Sequence, residues 1–164
     1  MSKFKSNAMK FALAAALALL VSVPLAFAAE QTRESYVAQV EPICKSNTKA
    51  NEQILKGVKA EVRAGKLKPA ATQLSKAAKA LKRTLAQLKA VRQPSADKAK
   101  LTKWLGYIKI EVELFERTAK KLKAGDKPGA ERMSVLLTHE SNLVNDAVLG
   151  FNFHYCHAEP SKFV

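Results

Sequence analysis

The stretch Leu67-Lys-Pro-Ala-Ala-Thr-Gln-Leu-Ser-Lys-Ala-Ala-Lys-Ala-Leu-Lys-Arg-Thr-Leu-Ala-Gln-Leu88 decides the fold. Leu67, Leu74, Leu81 and Leu88 recur every seven residues, and Ala71, Ala78 and Leu85 fill the positions four residues on. Apolar residues at this spacing line one side of an α-helix, and alanines in the seam let a neighbouring helix approach closely. Working outward, the next segment carries Leu101, Leu105, Ile108, Val112, Phe115, Ala119 and Leu122 in the same alternating step, with Trp104 beside the seam. The segment after it shows Met133, Leu136, Leu137, Leu143, Val144, Ala147 and Phe151 on one face, and the segment before shows Tyr36, Val40, Ile43, Ile54 and Val58, with Leu55 and Val62 alongside.

Breakers punctuate these segments. Arg63 to Pro69, Arg92 to Asp97 and Lys123 to Gly129 each place Pro near a helix start or Gly near a helix end. Ser95 and Asp126 are expected N-caps, each with a side-chain oxygen for a free backbone N–H. Pro42 falls inside the first segment, where its missing N–H predicts a kink or a restart. The predicted helices run over about 32–64, 68–92, 96–124 and 127–153. Short connections make long neighbours antiparallel, so the expectation is an all-α, up-down-up-down four-helix bundle.

The N-terminus carries Lys3, Lys5 and Lys10, then an uncharged apolar run from Phe11 to Val23, then Ala26-Phe27-Ala28. That order is the signature of a secretory signal peptide over residues 1–28. The run is shorter than the roughly 18 residues that a membrane-spanning helix requires. The expected mature domain, 29–164, has 136 residues, and losing three lysines takes the net charge from +14 to +11. The reading is of a secreted or periplasmic protein with no transmembrane segment in its mature chain.

Two cysteines in an exported chain are expected to pair. In the up-down-up-down arrangement the start of the first helix and the end of the fourth share one end of the bundle. Cys44 and Cys156 sit at those places, 112 positions apart. A Cys44–Cys156 bridge closing so long a loop stabilises by at most roughly 5 kcal/mol in the chain-entropy account. The competing reading is a metal site formed by His154, Cys156 and His157, but residues two and three apart diverge on a helix. Haem attachment would require Cys-x-x-Cys-His, which is absent. Thr138-His-Glu-Ser-Asn142 begins like a zinc-protease motif but has Leu143 where a second His belongs, so His139 and Glu140 read as ordinary helix residues. No nucleophile–base pair or paired carboxylates stand out. The sequence therefore points to no enzymatic activity, cofactor or metal.

Four features invite a functional reading. Asn47 and Asn51 lie on the apolar face of the first helix, and Asn145 and Asn152 are expected to meet them near the disulfide end. Such amides form either a register-setting polar layer or a polar pocket. Phe151, Phe153 and Tyr155 bring aromatic bulk to the same end, where Tyr36 is within reach, as a plug or as the wall of a ligand slot. Tyr107, Ile110 and Leu114 form a second apolar stripe on the third helix, to be covered by Thr32–Glu41, by a homodimer or by a partner protein. Lys76, Lys79 and Arg83, with Lys82 and Lys89 beside them, form a basic face on the second helix. It is either a solvated outer face or a site for an anionic envelope surface. Nucleic acid is the weakest partner: no recognition motif is present, and aromatics do not interleave with the basic residues.

Tyr36-Val-Ala-Gln-Val-Glu-Pro-Ile-Cys44, with Gly150-Phe-Asn-Phe-His-Tyr-Cys156, resembles small bacterial exported helical-bundle proteins of unassigned function. The resemblance rests on the cysteine framework and implies no substrate, cofactor or catalytic residue. Cytochrome-like bundles share the expected fold but require haem ligands. The mature chain offers Met133 alone, distant in sequence from His154 and His157. The leading expectation is a non-catalytic exported protein that binds an anionic envelope component or a partner protein. The alternative is a small-ligand carrier with a polar and aromatic pocket at the disulfide end.

Overall fold

The computed structural model describes residues 30–159, so the expected signal peptide lies outside the described residues. The described chain is helical, with no strand among the described residues. Four long helices, α1 (Arg33–Ile54), α3 (Leu67–Ala90), α4 (Lys98–Lys123) and α5 (Lys127–Ala147), are joined by short connections, and a short α2 (Val58–Arg63) follows α1. The closest packing runs from α1 and α2 onto α3, from α3 onto α4 and from α4 onto α5.

The heptad of α3 and the seam of α4 meet as their spacing requires. Leu74, Leu81, Leu85, Leu88, Ala71 and Ala78 are buried, and so are all seven seam residues of α4. Trp104 does not merely flank that seam: it is fully buried. α4 has α3 on one side and α5 on the other, so its buried arc is wide. That width explains Leu114, which is 5 % exposed and belongs to the core. The expected outward stripe is therefore not one surface. Tyr107 is half-buried with the Lys103 ammonium over its ring, and only Ile110 is largely exposed.

Three boundaries differ from the sequence reading. The first helix does not continue to residue 64, and it runs through Pro42 without a restart. It breaks instead at Leu55–Gly57, where Gly57 takes a left-handed conformation (φ 83°) open to glycine without strain. The fourth predicted helix ends at Ala147 rather than near 153, and Val148–Glu159 forms an irregular tail. Ser95 opens a 3-10 turn before α4, and its hydroxyl bonds Glu30 rather than capping α4; Asp97 is the N-cap residue. Asp126 caps α5 as expected, accepting from the Gly129 N–H at 2.8 Å. On α5, Leu136 is exposed and Leu143 half-buried, while Glu140 and Ser141 are buried.

Cys44 and Cys156 form the disulfide, with Cα atoms 5.0 Å apart. The tail it holds is fixed at three more points. Glu41 accepts from the backbone N–H groups of His154 and Tyr155 at 2.8 and 3.1 Å. The Asn145 side chain bonds both backbone groups of Ala158. Phe153 stacks between Trp104 and Phe151, with centroids 5.4 Å from each. Arg33 lies over the Phe151 ring and forms a forked pair with the buried Asp97 carboxylate at 2.6 and 2.9 Å. That bond holds Asp97 below its ordinary carboxylate range.

Candidate functional site: a polar layer around an internal cavity

Each of the four long helices places a polar side chain where its heptad turns inward. α1 supplies Asn47 and Asn51, α3 supplies Thr84, α4 supplies Glu111 and α5 supplies Ser141. Glu111 lies three residues after Ile108 and four before Phe115, and Thr84 three after Leu81 and four before Leu88; Ser141 lies four after Leu137 and three before Val144. The helical repeat therefore carries all three into the core. Thr84, Glu111 and Ser141 are 7, 6 and 1 % exposed.

These groups surround a cavity of about 110 Å³. Leu55, Leu81, Leu88, Phe115, Leu137 and Val144 supply apolar wall, Trp104 and Tyr155 add aromatic surface, and the disulfide closes one side. Glu52, His157 and Glu159 also line it but are exposed, so they mark the rim. Part of the polar layer is internally bonded. The Thr84 hydroxyl donates to Asn47 Oδ1 at 3.2 Å, and the Ser141 hydroxyl donates to Glu111 Oε1. Part of it is not: Asn51 Oδ1 and Trp104 Nε1 are buried and have no hydrogen-bond partner. An unpaired buried polar atom costs about 1–3 kcal/mol, and a group able to enter the cavity and pair with it recovers that free energy.

The Glu111 carboxyl is pushed up to about 7, first by burial, with the Ser141 hydrogen bond pulling down and the neighbouring Glu140 adding to the rise. Glu140 is also raised, chiefly by burial, with His139 opposing. Glu140 is thus not an ordinary surface residue of its helix, and the chain does bring two buried carboxyls into electrostatic contact, on α4 and α5. The arrangement provides one proton-labile acid, one free acceptor and one free donor around an apolar volume. That combination suits recognition of a small polar molecule. Among the described residues no group of three or more His, Cys, Asp or Glu side chains is placed to hold a metal ion.

Of the four asparagines expected to form a pocket, Asn47 and Asn51 line the cavity and the other two do not. Asn145 is consumed in holding Ala158, and Asn152 is exposed in a left-handed turn conformation (φ 55°). Asn152 departs because the helix ends at Ala147, whereas Asn145 is still helical and its amide is taken up by the tail. Glu111, Ser141 and Thr84 were not singled out from the sequence, although polar residues on an otherwise apolar arc are a readable signal. Tyr36 is fully buried at the same end of the molecule; its hydroxyl has no partner, and burial pushes it up to about 12.

The five basic residues Lys76, Lys79, Lys82, Arg83 and Lys89 are all exposed on α3. None of them is in an ion pair among the described residues. No described helix is long and apolar enough to cross a membrane. No family model matches the chain, and neither the curated proteins nor the solved structures provide a match.

Proposed function

We propose that this is an exported, non-catalytic helical protein that binds a small ligand in the cavity at the centre of its polar layer. The bundle is read as up-down-up-down, stapled at one end by Cys44–Cys156. Export is supported by the signal-like N-terminal pattern and by the disulfide, which persists in oxidising compartments. The observation that carries the binding reading is the pair of buried, unpartnered polar atoms, Asn51 Oδ1 and Trp104 Nε1, at an internal cavity. Cores do not ordinarily leave such atoms orphaned. The chain has a single tryptophan, so its emission reports on the cavity directly. Titrating the mature protein with small cationic, neutral and anionic organic probes is expected to shift Trp104 emission and raise the melting temperature for at least one class. No response to any class sinks the reading.

A second reading keeps the basic face of α3 as a docking surface for an anionic envelope component. It is supported by five exposed cations on one helix, none with an acidic partner among the described residues, in a chain whose expected mature net charge is +11. Exposed charges are screened over about 8 Å at physiological ionic strength. Co-sedimentation with anionic vesicles is therefore expected at low salt and lost at high salt. Lys79→Glu with Arg83→Glu should abolish it, and binding indifferent to both would refute the surface reading.

A further inference from the structure

The cavity is electrostatically the reverse of the molecule that contains it. The chain has 28 Lys and Arg against 14 Asp and Glu, yet among the described residues no Lys or Arg lines the cavity. Its lining carboxylates are Glu52, Glu111 and Glu159, and its one other titratable lining group with a cationic form is His157. Glu52 and Glu159 stand at the exposed rim, whereas Glu111 is inside. Ser141 occupies Glu111 Oε1, and no ion pair to Glu111 exists among the described residues. A buried carboxylate is stabilised most by a cation, and none of the described residues pairs one with Glu111.

The orphaned atoms specify the rest of the ligand. Asn51 Oδ1 accepts, so it calls for a donor; Trp104 Nε1–H donates, so it calls for an acceptor. A bare ammonium answers Glu111 and Asn51 but leaves the indole N–H unpaired. A hydroxyl oxygen answers it. A cavity of about 150 Å³ holds benzene with its six heavy atoms, so about 110 Å³ suits a molecule of about four or five heavy atoms. We propose that the cavity binds a small amino alcohol, its ammonium on Glu111 and its hydroxyl at the Trp104 indole. This inference rests on the small-ligand reading and specifies its chemistry.

The charge state of Glu111 supplies a second signature. Its raised carboxyl is ionised only as pH rises through about 7, so the cation binds more tightly at pH 8 than at pH 6 and releases a proton on entry. The groups facing it are Glu140 of α5, Glu52 of α1, and His157 and Glu159 of the tail; α3 lines the cavity with no titratable group.

The test uses the disulfide-bonded mature protein at fixed ionic strength, read by Trp104 emission and melting temperature. The probes are 3-amino-1-propanol, its neutral counterpart 1,3-propanediol, the anionic hydroxy acid glycolate, and n-propylamine, which lacks the hydroxyl; each has about four or five heavy atoms, the size the cavity suits. At pH 8 the amino alcohol is expected to bind at least tenfold more tightly than the diol and more tightly than propylamine, with the anion weakest. Glu111→Gln, close in shape and still able to accept from Ser141, should bring the amino alcohol and the diol to equal affinity. Should that variant not fold, the wild-type protein at pH 6 supplies the same comparison, with the amino alcohol losing most of its advantage. Equal binding of amine and diol to the wild-type protein at pH 8, or an advantage untouched by Glu111→Gln, overturns the amino-alcohol proposal while leaving a small-ligand site standing. No response to any of the four probes overturns both.

Discussion

The α3–α4 contact and the centre of the bundle are built from the same helical repeat, and they end differently. Between α3 and α4, seam positions carry Leu, Ile, Val, Phe and Ala, with Ala71 and Ala78 small enough for close approach. At the level of Asn47, Thr84, Glu111 and Ser141 the repeat continues, but its inward positions are polar. Polar groups bond each other in pairs rather than filling space, and a volume remains among them. The contrast teaches that a helical protein can reserve a site without bending its backbone, by a change of side-chain chemistry at one level of a regular core.

The contrast can be broken most severely by releasing the disulfide, which forms one side of the polar region and leaves the apolar seam alone. Cys44→Ser with Cys156→Ser is expected to cost roughly 2–5 kcal/mol, measured by denaturant unfolding, because the bridge closes a loop of 112 positions. Intact mass with and without reductant should show a two-proton difference; two alkylatable thiols in the unreduced protein would refute the pairing. Next in size, Leu101→Ala removes a fully buried side chain from the apolar seam of α4 and should cost about 3–4 kcal/mol, without changing the response of Trp104 to ligand.

Glu111→Gln acts in the opposite direction. In the unfolded chain this carboxyl releases its proton near its ordinary value of 4.5, whereas in the folded protein it holds it to about 7. Between those values the unfolded state binds fewer protons, so folding stability falls as pH rises and levels above about 7. Wild-type protein should therefore lose up to about 3 kcal/mol from this group between pH 4.5 and 8. The Gln variant should lack that loss and be the more stable protein at pH 8. Wild-type and variant curves that run parallel from pH 5 to 8 would show that Glu111 is not the titrating group.

The smallest effect is expected at the outer end, from Asp97→Asn. Arg33 holds Asp97 low, so its contribution is present above the ordinary value of 3.8 and is lost as pH falls through the lowered one. The substitution should lower the melting temperature at pH 7 by less than either cavity formation or disulfide loss, and should flatten the acid limb of the stability curve.

What could be read from the chain divides along the same line as the two regions. The seam residues of α3 and α4 were legible because a seven-residue apolar repeat has one low-energy solution. The disulfide was legible because two cysteines at the predicted ends of a bundle have each other as partners. Asn47 and Asn51 could be placed, since they fall on an apolar face. Asn152 could not, because its alignment depended on a helix continuing past Ala147, and helix ends are weakly specified by pattern; Asn145 could not, because its partner is the irregular tail. Gly57 outranked Pro42 as the break in the first segment through its left-handed conformation. Glu111 escaped notice because a glutamate is ordinarily a surface residue, although its spacing from Ile108 and Phe115 put it inside.

The tail has a consequence for the order in which the molecule is assembled. Residues Tyr155 to Glu159 wall the same cavity as Cys44 and Asn47, more than a hundred positions earlier in the chain. Contacts so far apart are entropically expensive to make in an open chain and become cheap once the intervening helices have brought the two ends together. The packed α3–α4 pair, whose members are neighbours in sequence, can form first; the cavity closes afterwards, when Glu41 receives the backbone of His154 and Tyr155 and the thiols meet. On the proposed small-ligand reading, binding competence would be a late event of folding, reached as the Cys44–Cys156 bridge closes, and a reduced chain would carry its helices well before it carried its site.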